Sequence, residues 1–260
     1  MNLLALKLVV TPLLLLAASV VVRRWGEALG GFLVGLPLTS GPISVFLALE
    51  HGPAFAMQAT SGSLAATAAQ AAFCLLYCRL AAVGWPVALA GACTAFALAA
   101  CLLQWSGLTQ TALFLLALAA MALTLYLTPK QAVTAAKLTP PWWDIPARMA
   151  LITALVIGVT LIAPHVGPKA SGVLASFPFM GTILAMFAHR QVGHAAAQQV
   201  LRGMVAGLWG FAAFFYVVSL MLTRFDLFTT YTSAVLCALA IQAVSLHRMR
   251  LPSTESGKSR

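Results

Sequence analysis

The chain has 260 residues, of which 62% are hydrophobic and only 8% are charged, and its mean hydropathy is +0.97. Soluble domains carry about 25% charged residues, so this composition excludes a soluble domain of any size and indicates one polytopic membrane domain. The net charge of +10 does not indicate nucleic-acid binding, because the basic residues are scattered between apolar runs, where membrane topology explains them better.

Runs of mostly apolar residues follow one another along the whole chain. A helix that crosses a bilayer needs ~20 such residues. This length predicts an all-α fold with about nine spans. In chain order, predicted spans 1 to 9 cover residues 4–22, 29–49, 56–78, 85–104, 108–127, 147–163, 171–188, 203–222 and 228–246.

Basic residues orient these spans, since Lys and Arg are enriched in cytoplasmic loops. With the N-terminus outside, only Lys7, Lys169 and Arg224 fall on the outer side. The cytoplasmic segments then hold Arg23, Arg24, Arg79, Lys130, Lys137, Arg148, Arg190, Arg202, Arg248, Arg250, Lys258 and Arg260. We therefore expect a bacterial inner-membrane protein with a periplasmic N-terminus and a cytoplasmic C-terminus.

The two halves of the chain align without gaps when one is shifted by 141 residues. Over residues 26–62 and 167–203 the identities pair Gly26 with Gly167, Gly31 with Gly172, Leu33 with Leu174, Pro37 with Pro178, Phe46 with Phe187, Gly52 with Gly193, Ala54 with Ala195, Ala56 with Ala197, Gln58 with Gln199, and Gly62 with Gly203. Because equivalent spans are five apart, the second copy would cross the membrane in the opposite sense. Inverted repeats of this kind are characteristic of secondary transporters, although an old duplication kept only for packing would leave the same pattern.

The repeat divides the chain into four parts. We expect a first four-helix unit at 1–105, a linking helix with a cytoplasmic loop at 106–146, a second, inverted unit at 147–248, and a disordered cytoplasmic tail at 249–260.

Predicted spans 2 and 7 are interrupted at equivalent positions, where GLPLTSGP (35–42) aligns with SFPFMGTI (176–183). Proline removes a backbone donor and clashes with the preceding turn, and in lipid the freed groups must find partners or line a cavity. Two breaks near the midplane would therefore form a substrate site, whereas plain kinks that shape the bundle are the alternative. The candidate substrate-binding residues are Gly35, Pro37, Thr39, Ser40, Gly41, Pro178, Gly181, Thr182, Gln58 and Gln199.

Four ionisable residues near the ends of spans are candidates for gating or coupling: Lys7, Arg148, Glu50 and His189. Basic side chains this close to a helix end commonly snorkel to lipid headgroups instead. No Asp or Glu lies in the middle of a predicted span, which argues against a dedicated cation/proton exchanger. The deeper Gln70 is expected to hydrogen-bond between helices.

Enzymatic function is not indicated. The sequence contains no GxSxG, HExxH or phosphate-binding glycine loop, and it has no paired carboxylates at catalytic spacing. We therefore expect no enzyme activity, no metal and no cofactor.

The segments GGFLVGLPLTSGPISVFLALEHG and SGVLASFPFMGTILAMFAHRQVG resemble small four-helix bacterial inner-membrane proteins of the GlpM type, as if two copies were fused. The layout is also similar to inverted-repeat carriers of the bile-acid-symporter and sodium/proton-antiporter kind. Those carriers have acidic and Asn ion ligands that this chain lacks, which puts sodium coupling in doubt.

The combined prediction is a transporter, an exporter or facilitator, for a small neutral or anionic solute. The expected partners are the lipid bilayer and that solute, with a homo-oligomer left open and no nucleic acid. The alternative is a non-transporting scaffold or assembly factor for an envelope system.

Overall fold

A computed structural model describes Pro37, Leu38 and the ranges 40–128 and 144–250. All regular structure in these ranges is α-helical. The helices are α1 (Ser40–His51), α2 (Pro53–Leu80), α3 (Trp85–Trp105), α4 (Gln110–Leu127), α5 (Asp144–Ala175), α6 (Phe179–Gln191), α7 (His194–Met221) and α8 (Leu227–Arg250).

Five of these helices, α2, α3, α4, α7 and α8, are long and apolar enough to cross a membrane. A sixth crossing is formed if Ile157–Ala175 and Phe179–Gln191, which meet at a 40° bend, act as one broken span. The chain is thus an all-α, multi-pass membrane protein, as the composition predicted.

The expected count of nine spans is not found in the described ranges. Helix α1 has only 12 residues, too few to cross a bilayer alone. Predicted span 6 and the start of span 7 both fall in α5, whose backbone is non-helical at Gly167 (φ 80°), within the expected loop. Span 7 is interrupted where α5 ends at Ala175. Predicted span 1 and the first part of span 2 lie outside the described residues.

Helices α2 and α7 form the centre of the bundle, and their apolar windows are 67% and 72% buried, against 22% for α3, α4 and α8. They run antiparallel, because Gln198, near the start of α7, donates from Nε2 to the backbone oxygen of Cys78, near the end of α2 (3.0 Å). Helix α4 lies parallel to α2, since Gln110 donates to the oxygen of Met57 (3.2 Å) near the starts of both helices. The outer helices instead present large apolar side chains such as Leu102 on their surfaces.

The bounds of α2 and α7 repeat at the interval found in the sequence. Pro53 and His194, the two first residues, are 141 positions apart, and so are Leu80 and Met221, the two last. Each helix is preceded by a glycine at positive φ, Gly52 (87°) or Gly193 (119°), a conformation that glycine adopts without a steric penalty.

Helices α2 and α5 cross so closely that only glycine fits. A Cβ added at Gly62 would overlap the backbone oxygen of Lys169, and one added at Gly172 would overlap that of Ala59. At the same crossing Ser63 donates from Oγ to the oxygen of Gly172 (3.3 Å). Small residues allow such approach in membranes, where helix association depends on packing rather than on hydrophobicity.

The first prediction concerns this crossing. Gly172→Ala should lower the free energy of unfolding by about 1–3 kcal/mol, the usual cost of overpacking, even though alanine favours helix by about 1 kcal/mol. The measurement is thermal unfolding in detergent. Gly158→Ala in the same helix is the control, because a Cβ there meets no atom within 4 Å, and it should leave stability unchanged or raise it. Equal effects of the two substitutions would contradict the close crossing.

The second prediction concerns Asp226, which is exposed and caps the start of α8. The backbone amide of Thr229 donates to Oδ2 (2.9 Å) and its hydroxyl donates to Oδ1 (2.7 Å). These hydrogen bonds hold the pKa of the Asp226 carboxyl below its ordinary value. The charged cap therefore stabilises the fold fully above the unfolded-state pKa, and the contribution is lost as pH falls through the folded-state pKa.

Asp226→Ala should accordingly lower the unfolding temperature near neutral pH, and the difference from the native chain should shrink as pH falls below about 3.9. Asp226→Asn keeps the capping oxygen without the charge, so its unfolding temperature relative to Asp226→Ala should not depend on pH. An Asp226→Ala deficit that stays constant down to acidic pH would refute the charged cap.

Candidate functional site

The first break lies at Pro37–Leu38, immediately before α1. The helix begins at Ser40, and the amide of Gly41 donates to the oxygen of Pro37 (2.9 Å). Ser40 and Gly41 are buried, and Gly41 faces the ring of Phe214 on α7. Helix α1 therefore begins just after Pro37 with a buried serine, and the residues on the other side of the predicted interruption lie outside the described ones.

The second break spans Ser176, Phe177 and Pro178, between the end of α5 and the start of α6. Pro178 is the N-cap residue, with φ −80° and ψ 55°, outside the helical region. Both the amide and the hydroxyl of Thr182 donate to the oxygen of Pro178 (2.8 Å each). The candidate residue Thr182 thus uses its hydroxyl within its own helix, next to the buried Gly181.

Gln70 of α2 hydrogen-bonds to the second break. The side chain is 3% exposed, and Nε2 donates to the backbone oxygen of Ser176 (2.6 Å). That carbonyl lies between the end of α5 and the start of α6, where the regular helical hydrogen bonds are interrupted. The expected helix–helix hydrogen bond of Gln70 is confirmed, and its partner is the broken backbone itself.

The hydroxyl of Ser176 is in a different situation. It is buried and has no hydrogen-bond partner within the part of the chain that the structure describes. A buried hydroxyl normally finds a partner, so this atom marks a place where a water or a solute group would be stabilised.

Aromatic rings also pack at this break. The ring centroid of Phe177 lies 5.0 Å from that of Phe96, 6.3 Å from that of Phe73 and 4.5 Å from that of Phe179. The break therefore combines polar groups, at Gln70 and the Ser176 hydroxyl, with aromatic packing.

The two breaks lie against equivalent phenylalanines of the central helices, Phe214 of α7 and Phe73 of α2, which are 141 positions apart. The two breaks lie at different depths. The ring of Tyr216, two residues after Phe214, stacks on that of Phe114 near the start of α4, with the centroids 4.3 Å apart. Because α4 lies parallel to α2, Phe214 lies beside the first half of α2.

Phe73 belongs to the second half of α2. It follows Gly62, a residue in the first half of α2, by eleven positions, or roughly 16 Å along the helix axis. The expectation that the breaks meet at one depth is therefore not what the described residues show. Helix α1 packs on α2, α5 and α8, whereas α6 packs on α7 and α3.

A polar cluster joins the end of α2 to α6 and α7. The Tyr77 hydroxyl and Nδ1 of His189 are 3.2 Å apart. Arg202 donates from Nη1 to the backbone oxygen of Leu125 (2.8 Å) and also to that of Thr128, at the end of α4. Arg202 was expected in the segment before predicted span 8, whereas it lies within α7, where its charge satisfies the terminal carbonyls of α4. Its position on the cytoplasmic side stays a prediction.

The remaining candidates are dispersed. Gln58 is exposed near the start of α2, while Gln199 is half-buried in α7. Glu50 is exposed at the end of α1, beside His51, whose Nε2 lies 3.4 Å from the oxygen of Thr160. The structure therefore does not bring the two glutamines to the breaks. Lys7, Gly35, Thr39 and the side chain of Arg148 lie outside the described residues.

Sequence reasoning did not identify Tyr77, Ser176 or the phenylalanines as site residues. Ser176 was recoverable, because it aligns with the candidate Gly35 and directly precedes the break. The phenylalanines had no local signal, since an aromatic residue within an apolar run looks like ordinary packing.

No protein-family model, curated protein or solved structure matches this chain. The resemblance to GlpM-type proteins stays a prediction.

The third prediction concerns Gln70. Gln70→Leu keeps most of the volume but leaves the Ser176 oxygen without its donor, so it should destabilise the protein by about 1–3 kcal/mol. Thermal unfolding in detergent measures the effect. Gln58→Leu is the control, since Gln58 is exposed on the same helix, and it should unfold near the native temperature. If Gln70→Leu unfolded at the native temperature as well, the amide would not be stabilising the break.

Proposed function

We propose that this protein is a secondary transporter of a small neutral or anionic solute in the bacterial inner membrane, with a periplasmic N-terminus and a cytoplasmic C-terminus. The observation that carries the proposal is the break at Ser176–Pro178, within a membrane-spanning helix pair, where a buried hydroxyl lacks a partner in the described part of the chain. Irregular backbone at membrane depth is tolerated where it is buried in protein or lines a water-filled cavity.

The inverted repeat predicted from the sequence is part of this proposal. Equivalent helices α2 and α7 have bounds 141 residues apart and run in opposite directions, as the Gln198–Cys78 hydrogen bond requires. Two similar units of opposite sense give a carrier two alternative conformations of comparable energy, one open to each side of the membrane.

Hydroxyl groups at the first break add to the support. Ser40 and Ser44 are buried on α1, and the Ser44 hydroxyl lies 2.8 Å from that of Tyr231 on α8. Hydroxyls and amides both donate and accept hydrogen bonds, which suits a neutral or anionic solute. Glu50 and Asp226, the carboxylates whose side chains the structure describes, are exposed at helix ends rather than mid-span, which does not favour cation exchange.

The Tyr77–His189 hydrogen bond links α2 to α6, the helix that moves in the proposed mechanism. Helix α6 is short, begins at the break and packs mainly on α7. Its last turn is tied to α2 through His189. In the proposed mechanism α6 pivots at Pro178, and this contact is made in one state and lost in the other.

A second candidate function is a non-transporting scaffold. The aromatic packing of Phe177 against Phe96 and Phe73 favours it, because a dry break needs no solute. The Ser176 hydroxyl differs from the other buried polar atoms without a partner in the described ranges because it lies at the interrupted backbone, and we therefore place the transporter first.

The fourth prediction tests the transporter. Metabolite profiling of a deletion strain should show a solute that accumulates or is depleted, and proteoliposomes should carry that solute. Pro37→Ala and Pro178→Ala should each reduce the flux by about ten-fold or more, since restoring a regular helix removes the site.

Pro86→Ala is the matched control, because Pro86 lies in the first turn of α3, away from both breaks, and its flux should equal that of the native protein. Undiminished flux in both break variants would refute the site. Absence of any altered solute and any flux would refute transport and leave the scaffold.

A further inference from the structure

An apolar cavity of about 380 Å³ lies beside the second break. Its walls come from the part of α5 before the kink, the part after it, the break and α3. Among the residues that line it are Phe96, Gly158, Val159, Ile162, Phe177 and Phe179. The volume falls in the lower part of the range of about 300–1,000 Å³ that is typical of ligand pockets.

Gly158 contributes to the space. A Cβ added at this position would meet no atom within 4 Å, so the glycine is not required by a close helix crossing, unlike Gly62 and Gly172. Glycine in a helix interior is unfavourable relative to alanine by about 1 kcal/mol. Its effect at this position is to leave room in the cavity.

The surroundings identify the chemistry of a ligand. The wall residues are apolar, and apolar cavities do not hold water. Ile162 and Leu174 lie on the wall and are 42% and 40% exposed, within the segment 157–175 of the broken span. A cavity that opens at membrane depth is entered from the hydrocarbon region.

We propose that this cavity binds the alkyl chain of a single-chain amphipathic solute of the fatty-acid type. The assignment rests on the proposed function and narrows its substrate class to a neutral or anionic head group with a hydrocarbon tail. The tail occupies the space between Phe96 and Phe177, and the head group lies at the mouth of the cavity. The buried Ser176 hydroxyl directly precedes Phe177 in the chain but is not part of the wall.

The test uses the full-length protein in nanodiscs and a palmitic acid that carries a diazirine in the chain. After irradiation, labelled peptides are mapped by mass spectrometry. The native protein should be labelled saturably within residues 154–179, and excess unlabelled palmitic acid should compete.

Gly158→Phe fills the cavity and should reduce this labelling by about ten-fold or more, because the space that contacts the chain is gone. Leu161→Phe is the matched control. It places a phenylalanine on the same helix at a side chain that is 67% exposed and does not line the cavity, and it should be labelled as the native protein is. Thermal unfolding of both variants verifies that they are folded; if Gly158→Phe is not, Gly158→Leu takes its place.

Three results would overturn the cavity assignment. They are no saturable labelling in 154–179, labelling that Gly158→Phe leaves unchanged, and labelling only by a diazirine phospholipid, which would identify a bilayer lipid as the occupant. A parallel flux assay with palmitic acid separates the two proposals. Saturable labelling without flux supports the cavity and rejects transport of this solute, whereas flux of another solute without labelling supports transport and rejects the cavity.

Discussion

Within a bilayer, a backbone carbonyl or amide that leaves a helix has no water to bind. The second break meets this constraint with a single side chain, since Gln70 donates to the Ser176 oxygen. Thr182 and the amides around Pro178 satisfy the neighbouring groups. The same constraint explains Arg202, whose guanidinium binds the last carbonyls of α4. Polar residues are few in this chain, and several of those inside it bind interrupted backbone.

The close crossing of α2 and α5 determines where these contacts form. Because Gly62 and Gly172 allow the two backbones to touch, the end of α5 lies directly beside α2, and the break falls within reach of Gln70. A wider separation would leave the Ser176 carbonyl without its partner. The hydrogen bond between Gln70 and the Ser176 oxygen therefore depends on the close helix packing, and that packing depends on the two glycines.

The sequence predicted the local features well. Proline has no amide hydrogen in any fold, so the interruption at Pro178 could be placed without a structure, and α1 begins just after Pro37. The start of α7 was placed nine residues too late, because a hydropathy scale counts Gln198 and Arg202 as polar. The scale carries no information on the backbone oxygens at the ends of α2 and α4 to which these side chains donate. The loop expected between spans 6 and 7 corresponds to the kink at Gly167, next to Pro168. The Phe96–Phe177 contact joins positions far apart in the chain, and no local pattern encodes it.

The central claim is that the broken helices line a path for a hydrophilic group, and thiol accessibility tests it most directly. Single cysteines at Ser40 and Ser176, introduced in a variant without the five native cysteines, would be treated in membranes with a charged, membrane-impermeant thiol reagent. Both positions are buried here, so reaction requires a state in which water reaches the break. The account predicts reaction at both positions, with no reaction of a cysteine at the buried Ala69. Two unreactive break positions would contradict it.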